Sequence, residues 1–275
     1  MKSKYLLLLL LTPFISLAQA DNTKADSAAK KKNEFSASIN YQSALHYFGR
    51  VDSFKSSGLF PVVGYQLKNG LYSQGTAVFV QNPSTPVTYT GASIELGYRF
   101  PEKKHFEGNV YVSKFLYRDK SVLVQSALEA QTGTNLTYKN KIINFTGGVD
   151  LKFSERMDIG ATAGINHLFV KKITGWKKSA VAIMPMATVN AGTQNFTNTY
   201  IDKTNLLGVP VIRQRTEKVE QFSILSYEFA APVVLVAGKF NAYVIPSYVM
   251  PQNLISGLEY GENLFYVTAG MGIRL

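Results

Sequence analysis

The chain contains no cysteine among its 275 residues. That excludes a disulfide scaffold, thiol catalysis, thiolate metal sites and a lipid anchor on an amino-terminal cysteine. Charge is scarce as well: 17% of residues are Asp, Glu, Lys or Arg, against ~25% in an ordinary soluble domain. After residue 20 no apolar run approaches the ~18 residues of a membrane-spanning helix, so none is expected there. What is abundant is aromatic and small: 17 Phe, 16 Tyr and 21 Gly. Those residues favour β-structure over helix bundles. A hydrophobic content of 46% also excludes a disordered chain.

The first residues have the three parts of a secretory signal. Lys2 and Lys4 are basic, Tyr5 to Leu11 open an apolar stretch, and Ala18-Gln19-Ala20 supplies a small–any–small cleavage site. Thr12 and Pro13 interrupt the stretch, which leaves it short of the ~20 residues of a spanning helix. The expected organisation is a signal peptide over 1–20 cleaved after Ala20, a polar lead-in over 21–33, and one folded unit over 34–275. Lys30, Lys31 and Lys32 close the lead-in. No zinc finger or recognition helix accompanies them, so no nucleic-acid partner is expected.

The remainder alternates with period two. Ala92, Ile94, Leu96, Tyr98 and Phe100 interleave with Gly91, Ser93, Glu95, Gly97 and Arg99. Phe145, Gly147, Val149, Leu151 and Phe153 interleave with Thr146, Gly148, Asp150, Lys152 and Ser154, and the last residues of the chain repeat the pattern. Side chains on a strand point alternately to opposite faces, so each segment has one apolar and one polar or small face. Several runs reach the ~9–11 residues that cross a bilayer at a tilt, whereas soluble strands average nearer ~5–6. The expected fold is an all-β, transmembrane, up-and-down antiparallel barrel of about 12 strands, apolar outside and polar within. Tyr89, Phe100, Tyr138, Phe153, Phe169 and Tyr260 are candidate interfacial girdle residues.

The strands are predicted over 35–45, 59–67, 71–81, 89–100, 106–117, 123–138, 142–154, 157–170, 181–191, 221–236, 240–250 and 264–275. Lys68-Asn69-Gly70 is a hairpin signal, because Asn and Gly accept positive φ. Pro101 to His105, Lys139 to Lys141 and Gly238 to Asn241 also read as tight returns. With both termini periplasmic, all four returns fall on the periplasmic side. The longer connections 46–58, 192–220 and 251–263 then fall outside, as in outer-membrane barrels; the short return at Glu155-Arg156 is the exception.

The terminal segment Thr268-Ala269-Gly270-Met271-Gly272-Ile273-Arg274-Leu275 resembles the carboxy-terminal β-signal read by the outer-membrane assembly machinery, with Thr268, Gly270, Ile273 and Leu275 in its characteristic places. The wider chain is similar to uncharacterised outer-membrane barrels of Bacteroidetes-type bacteria. Gly147-Gly148-Val149-Asp150-Leu151-Lys152-Phe153-Ser154 and Pro246-Ser247-Tyr248-Val249-Met250-Pro251-Gln252-Asn253-Leu254 carry that likeness. The resemblance implies an outer-membrane location, with membrane lipids and the assembly machinery as partners.

Catalytic chemistry finds no support. His46, His105 and His167 form no metal-ligand spacing, and Ser43 and His46 are predicted on opposite faces of a strand. Gly270 and Gly272 echo half of a dinucleotide fingerprint, but no helix follows them. No catalytic, cofactor or metal residue is assigned. Trp176, flanked by Lys171, Lys172, Lys177 and Lys178, reads as an interfacial anchor. The candidate lumen charges are Lys68, Glu95, Arg99, Glu129, Asp150, Lys152, Asp158, Glu228 and Arg274. Five acids against four bases leave little net field, so strong ion selectivity is not expected, and the same set could equally pair into a network closing the lumen. The preferred reading is a narrow, weakly selective passive channel for small solutes. The alternatives are a closed barrel displaying the 192–220 loop, whose Arg213, Arg215 and Lys218 would meet anionic polysaccharide or protein, and a lipid-modifying enzyme.

Overall fold

The computed structural model describes residues 32–51, 55–101, 103, 105–118, 128–154, 156–175, 179–193, 221–254 and 261–275. The expected signal peptide, most of the lead-in, Tyr260, Trp176 and the basic residues of the 192–220 loop lie outside them. In chain order, β1 is Glu34–Gln42, β2 His46–Tyr47, β3 Arg50–Val51, β4 Ser57–Gln66, β5 Leu71–Asn82 and β6 Thr85–Arg99. Next come β7 Phe106–Tyr117, β8 Ala130–Tyr138, β9 Asn144–Phe153, β10 Met157–Asn166 and β11 Phe169–Lys172. The last are β12 Ser179–Ile183, β13 Met186–Gly192, β14 Ser223–Ala230, β15 Val233–Ala237, β16 Phe240–Pro251 and β17 Leu264–Arg274.

Neighbours along the chain pair antiparallel, and β17 pairs with both β16 and β1, closing a 12-strand barrel. Closure runs from Ser36↔Arg274 to Gln42↔Thr268. It satisfies the backbone groups that an open edge would leave unpaired in lipid. Three wall strands are each broken once, which the period-two pattern did not reveal: β10 and β11, β12 and β13, and β14 and β15 are halves of single crossings. Proline explains the fault, since it has no N–H to give the ladder. Only its carbonyl takes part: His167 N donates to Pro185 O at 3.2 Å, Met184 N to Pro232 O at 2.9 Å, and Ala231 N to Pro246 O at 3.1 Å.

The two faces of the wall decide what surrounds it. Val63 is 54% exposed, Val149 55% and Met271 65%, whereas Asn40, Lys152, Asp158 and Ser226 are 3% exposed or less. Apolar residues outside and polar residues inside are the arrangement of a barrel in lipid. A water-soluble barrel would not expose so continuous an apolar band. Rings mark both edges of the band. Phe35, Tyr65, Phe106, Tyr138, Phe145, Phe169 and Phe240 stand near the end that carries the termini, and Tyr41, Tyr89, Phe153, Tyr248 and Phe265 near the other. Phe100 is half-buried against Tyr98.

Connections at the terminus-bearing end are short. At the β4–β5 return Gly70 adopts φ +100°, Gly70 N donates to Leu67 O at 2.9 Å and Leu67 N to Leu71 O at 2.8 Å. Lys68, Lys103, Lys141, Lys171, Lys172 and Lys239 are all exposed at this end. The β1–β4 connection departs from its expected course. It does not project outwards, and residues 43–51 fold back into the barrel mouth.

Candidate functional site

Polar rows line much of the lumen, with an apolar cluster of Ala230, Val234, Tyr243 and Ile245 on one side, and the register brings the polar partners together. At the terminus-bearing end Arg274 Nε lies 3.0 Å from Glu34 Oε1. Arg99 Nη1 donates to Gln66 Oε1 at 2.5 Å, and its guanidinium sits 5.0 Å from the centre of the Tyr72 ring. Glu95 accepts from Tyr72 OH and Ser113 Oγ, both at 2.9 Å, and Asn109 Nδ2 donates to Tyr72 OH at 3.1 Å. Further round, Lys152 Nζ donates to Asp150 Oδ2, and Asp158 accepts from Thr193 Oγ1 at 2.6 Å. Glu228 accepts from Tyr266 OH at 2.5 Å. Buried charges persist only with such partners.

Four inward glycines shape this lining. Gly97 lies directly across from Tyr72, Gly133 from Tyr111, Gly270 from Tyr243 and Gly160 from Asp150. A Cβ at Gly97 would stand 2.5 Å from the Tyr72 ring, one at Gly270 2.7 Å from the Tyr243 ring, and one at Gly160 2.7 Å from Lys152 Nζ. The missing side chains let the neighbouring rings and the ion pair lie along the wall.

Of the residues expected in the lumen, the structure places Glu95, Arg99, Asp150, Lys152, Asp158 and Glu228 on the inward rows, and Arg274 at the inner rim. Lys68 is an exception: it belongs to the exposed turn after β4, where the chain has already left the strand. Glu129 is another. It precedes β8, is exposed, and its carboxylate is 3.5 Å from Lys114 Nζ, which stands among the outward side chains of β7. Ser43 also differs, because β1 stops at Gln42; its Oγ accepts from Val267 N at 2.9 Å. Among the described residues no three His, Asp or Glu side chains gather as a metal site.

The plug was missed altogether. Leu45 packs on Phe60, Val78 and Val80 of β4 and β5; Tyr47 and Phe48 pack on Leu128 and Leu225; Ala44 packs with Val249, Leu264 and Tyr266. These walls lie on opposite sides of the barrel, so the segment spans the mouth. Arg50 latches it. Its guanidinium donates to Phe48 O at 3.3 Å, Leu225 O at 3.2 Å and Gln252 O at 3.0 Å. Gly49, at φ +80°, lies so close to Pro251 that a Cβ would stand 2.8 Å from its ring. The sequence held a signal for this: Leu45, Tyr47 and Phe48 are too apolar for a solvated loop.

His46 gives the plug an expected pH dependence. Its Nδ1 accepts from Gly49 N at 3.2 Å, its ring meets Tyr266 edge-on at 4.3 Å, and its enclosed Nε2 has no hydrogen-bond partner among the described residues. Burial pushes its pKa down from 6.5 to about 4. The docked plug thus keeps His46 neutral, while a released plug takes up a proton below pH 6.5. Docking is unaffected above that pH and weakens as pH falls towards 4, by up to about tenfold per pH unit. The labelling rate of a reporter thiol at position 47, taken relative to a free thiol at each pH because the thiolate is the reacting form, should rise across this interval, and His46→Gln should flatten the rise. A pH-independent rate in the parent chain would remove the role assigned to His46.

No protein-family model and no curated protein matches the chain. Among solved structures it is similar to the NanC porin, at 9% identity and a TM-score of 0.48, covering 88% of this chain and all of that one. The KdgM porin gives 10% identity and 0.48, covering 87% of this chain and 98% of that one. An outer-membrane channel of Pseudomonas putida F1 gives 10% and 0.48, covering 93% of this chain and all of that one. The closed barrel itself is read from this chain's own strand pairing.

Proposed function

We propose that the protein is a narrow, weakly selective passive channel for small solutes in the outer membrane, whose outer mouth is closed at rest by residues 43–51. The observation that carries this reading is the lining. Tyr72, Tyr111 and Tyr243 each face a glycine on the next strand, which lets their rings lie along the wall instead of across the axis. Glu95, Asp150, Asp158 and Glu228 outnumber Arg99 and Lys152 on the inward rows, which favours cations weakly. Planar-bilayer recording tests the reading. We expect small, intermittent steps with a slight cation preference; a chain that conducts neither as it is nor with the plug removed has no channel function.

The same reading has the signal peptide cleaved after Ala20 and the terminal strand, with Thr268, Gly270, Ile273 and Leu275, presented to the assembly machinery of a Bacteroidetes-type cell. One observation favours a second reading, a closed barrel displaying the 192–220 loop to anionic polysaccharide or protein: the plug packs against walls on opposite sides of the mouth.

A further inference from the structure

The outer wall is largely apolar, and between β15 and β4 it is also concave. A groove of about 500 Å³ crosses it from β15 to β4, with almost no polar surface. The register explains the shape. Two adjacent outward rows run across the strands, one through Val233, Val244, Ala269, Tyr41 and Leu59, the other through Leu235, Ala242, Met271 and Ile39. Ala242 and Ala269 form the floor, because each is small where its neighbours are large. Four strand steps of ~4.8 Å make the groove roughly 19 Å long, comparable with one leaflet of a ~30 Å hydrocarbon core.

A cation stands beyond one end, two strand steps or roughly 10 Å past Leu235. Following the lower row beyond Leu235, the next outward positions are Val181 on β12 and Lys171 on β11. Lys171 is exposed at the end of the barrel that carries the termini, with Lys172 beside it. The groove rises diagonally from that end, since Leu235 lies near the close of β15 and Leu59 near the opposite end of β4.

We propose that this groove is a binding site for a single anionic phospholipid of the leaflet on the terminus-bearing side, its acyl chain over Ala242 and Ala269 and its phosphate at Lys171. The inference rests on the membrane-spanning reading of the barrel and not on whether the lumen conducts. Apolar lining selects a hydrocarbon chain, and the lysine roughly 10 Å beyond it, where a headgroup would follow the acyl chain, selects a negative headgroup over a zwitterionic one.

The test uses the full chain in detergent, with native mass spectrometry to count bound lipid after addition of phosphatidylglycerol or phosphatidylcholine. The parent should retain one phosphatidylglycerol in preference to phosphatidylcholine. Lys171→Gln should weaken phosphatidylglycerol about fivefold, the effect of one lysine near a membrane surface, and leave phosphatidylcholine unchanged. Ala242→Leu with Ala269→Leu should fill the floor and lose both lipids, with slower gel migration after boiling confirming that the variant is folded. Undiminished lipid in the filled variant would overturn the site. So would a dimer of the parent that the filling abolishes, since a second copy would then be the occupant. Equal weakening of both lipids by Lys171→Gln would overturn the headgroup assignment. Absence of conductance would touch only the channel reading.

Discussion

Replacing residues 44–55 by a short Gly-Ser linker should raise single-channel conductance by at least about tenfold while leaving the barrel folded. Gln42 and Gly58 are already cross-strand partners, so a tight return can join β1 to β4 without altering the wall. What is lost is the apolar bridge across the mouth. Leu45, Tyr47 and Phe48 each bury a large side chain there, and burial of such a side chain contributes roughly 1.5–3 kcal/mol. That favourable energy holds the plug docked, but the strand ladder, not the plug, closes the barrel. Arg50→Ala is the milder form of the experiment. It removes the donors to the Leu225 and Gln252 carbonyls while keeping the apolar contacts, so it should produce frequent opening rather than a permanently open pore. Unaltered conductance in both variants would mean that residues 43–51 do not limit the path.

The wall was legible in the sequence because period two is a direct consequence of strand geometry, and a one-residue slip would turn every apolar side chain inwards. For that reason Glu95, Arg99, Asp150 and Lys152 could be placed on the inward face from alternation alone. The proline breaks were not legible: alternation carries single predicted strands through Pro185 over 181–191 and Pro232 over 221–236, and only cross-strand pairing shows where the ladder is interrupted. The plug was not legible either. The predicted strand ran on to residue 45, and the apolar Leu45, Tyr47 and Phe48 signal burial without saying where; Leu45 finds Phe60, Val78 and Val80 only once the barrel has closed. Lys68 and Glu129 were misplaced for a related reason. Parity assigns a face only while the chain remains in a strand, and both residues lie just beyond one. The lumen tyrosines were overlooked because alternation gives a side chain's face but not its partner, and only across the closed wall do Tyr72 and Tyr266 meet Glu95 and Glu228.

Deleting residues 268–275 should abolish the barrel altogether. The deleted residues supply most of the seam: Thr268 to Arg274 pair with β1, and Thr268 to Ile273 pair with β16. The chain end adds two more bonds, Phe35 N to Leu275 O at 3.1 Å and Leu275 N to Phe35 O at 2.8 Å. Without them both β1 and the lower half of β16 present unpaired edges, which hydrocarbon does not tolerate because each unsatisfied backbone group costs several kcal/mol there. In detergent the truncated chain should therefore show no slower migration after boiling and no resistance to protease. Gly270→Leu separates closure from recognition. A side chain at that position meets Asn40 Oδ1 at 2.5 Å and the Tyr243 ring at 2.7 Å, so it should loosen the seam in purified protein whatever the assembly machinery reads. Leu275→Asn keeps the backbone bonds to Phe35 and changes only the side chain; it should refold normally in detergent yet reach the membrane poorly in cells. If the truncation folded in detergent as well as the full chain does, β17 would not be the closing strand. If Leu275→Asn reached the membrane normally, the terminal side chain would have no part in assembly.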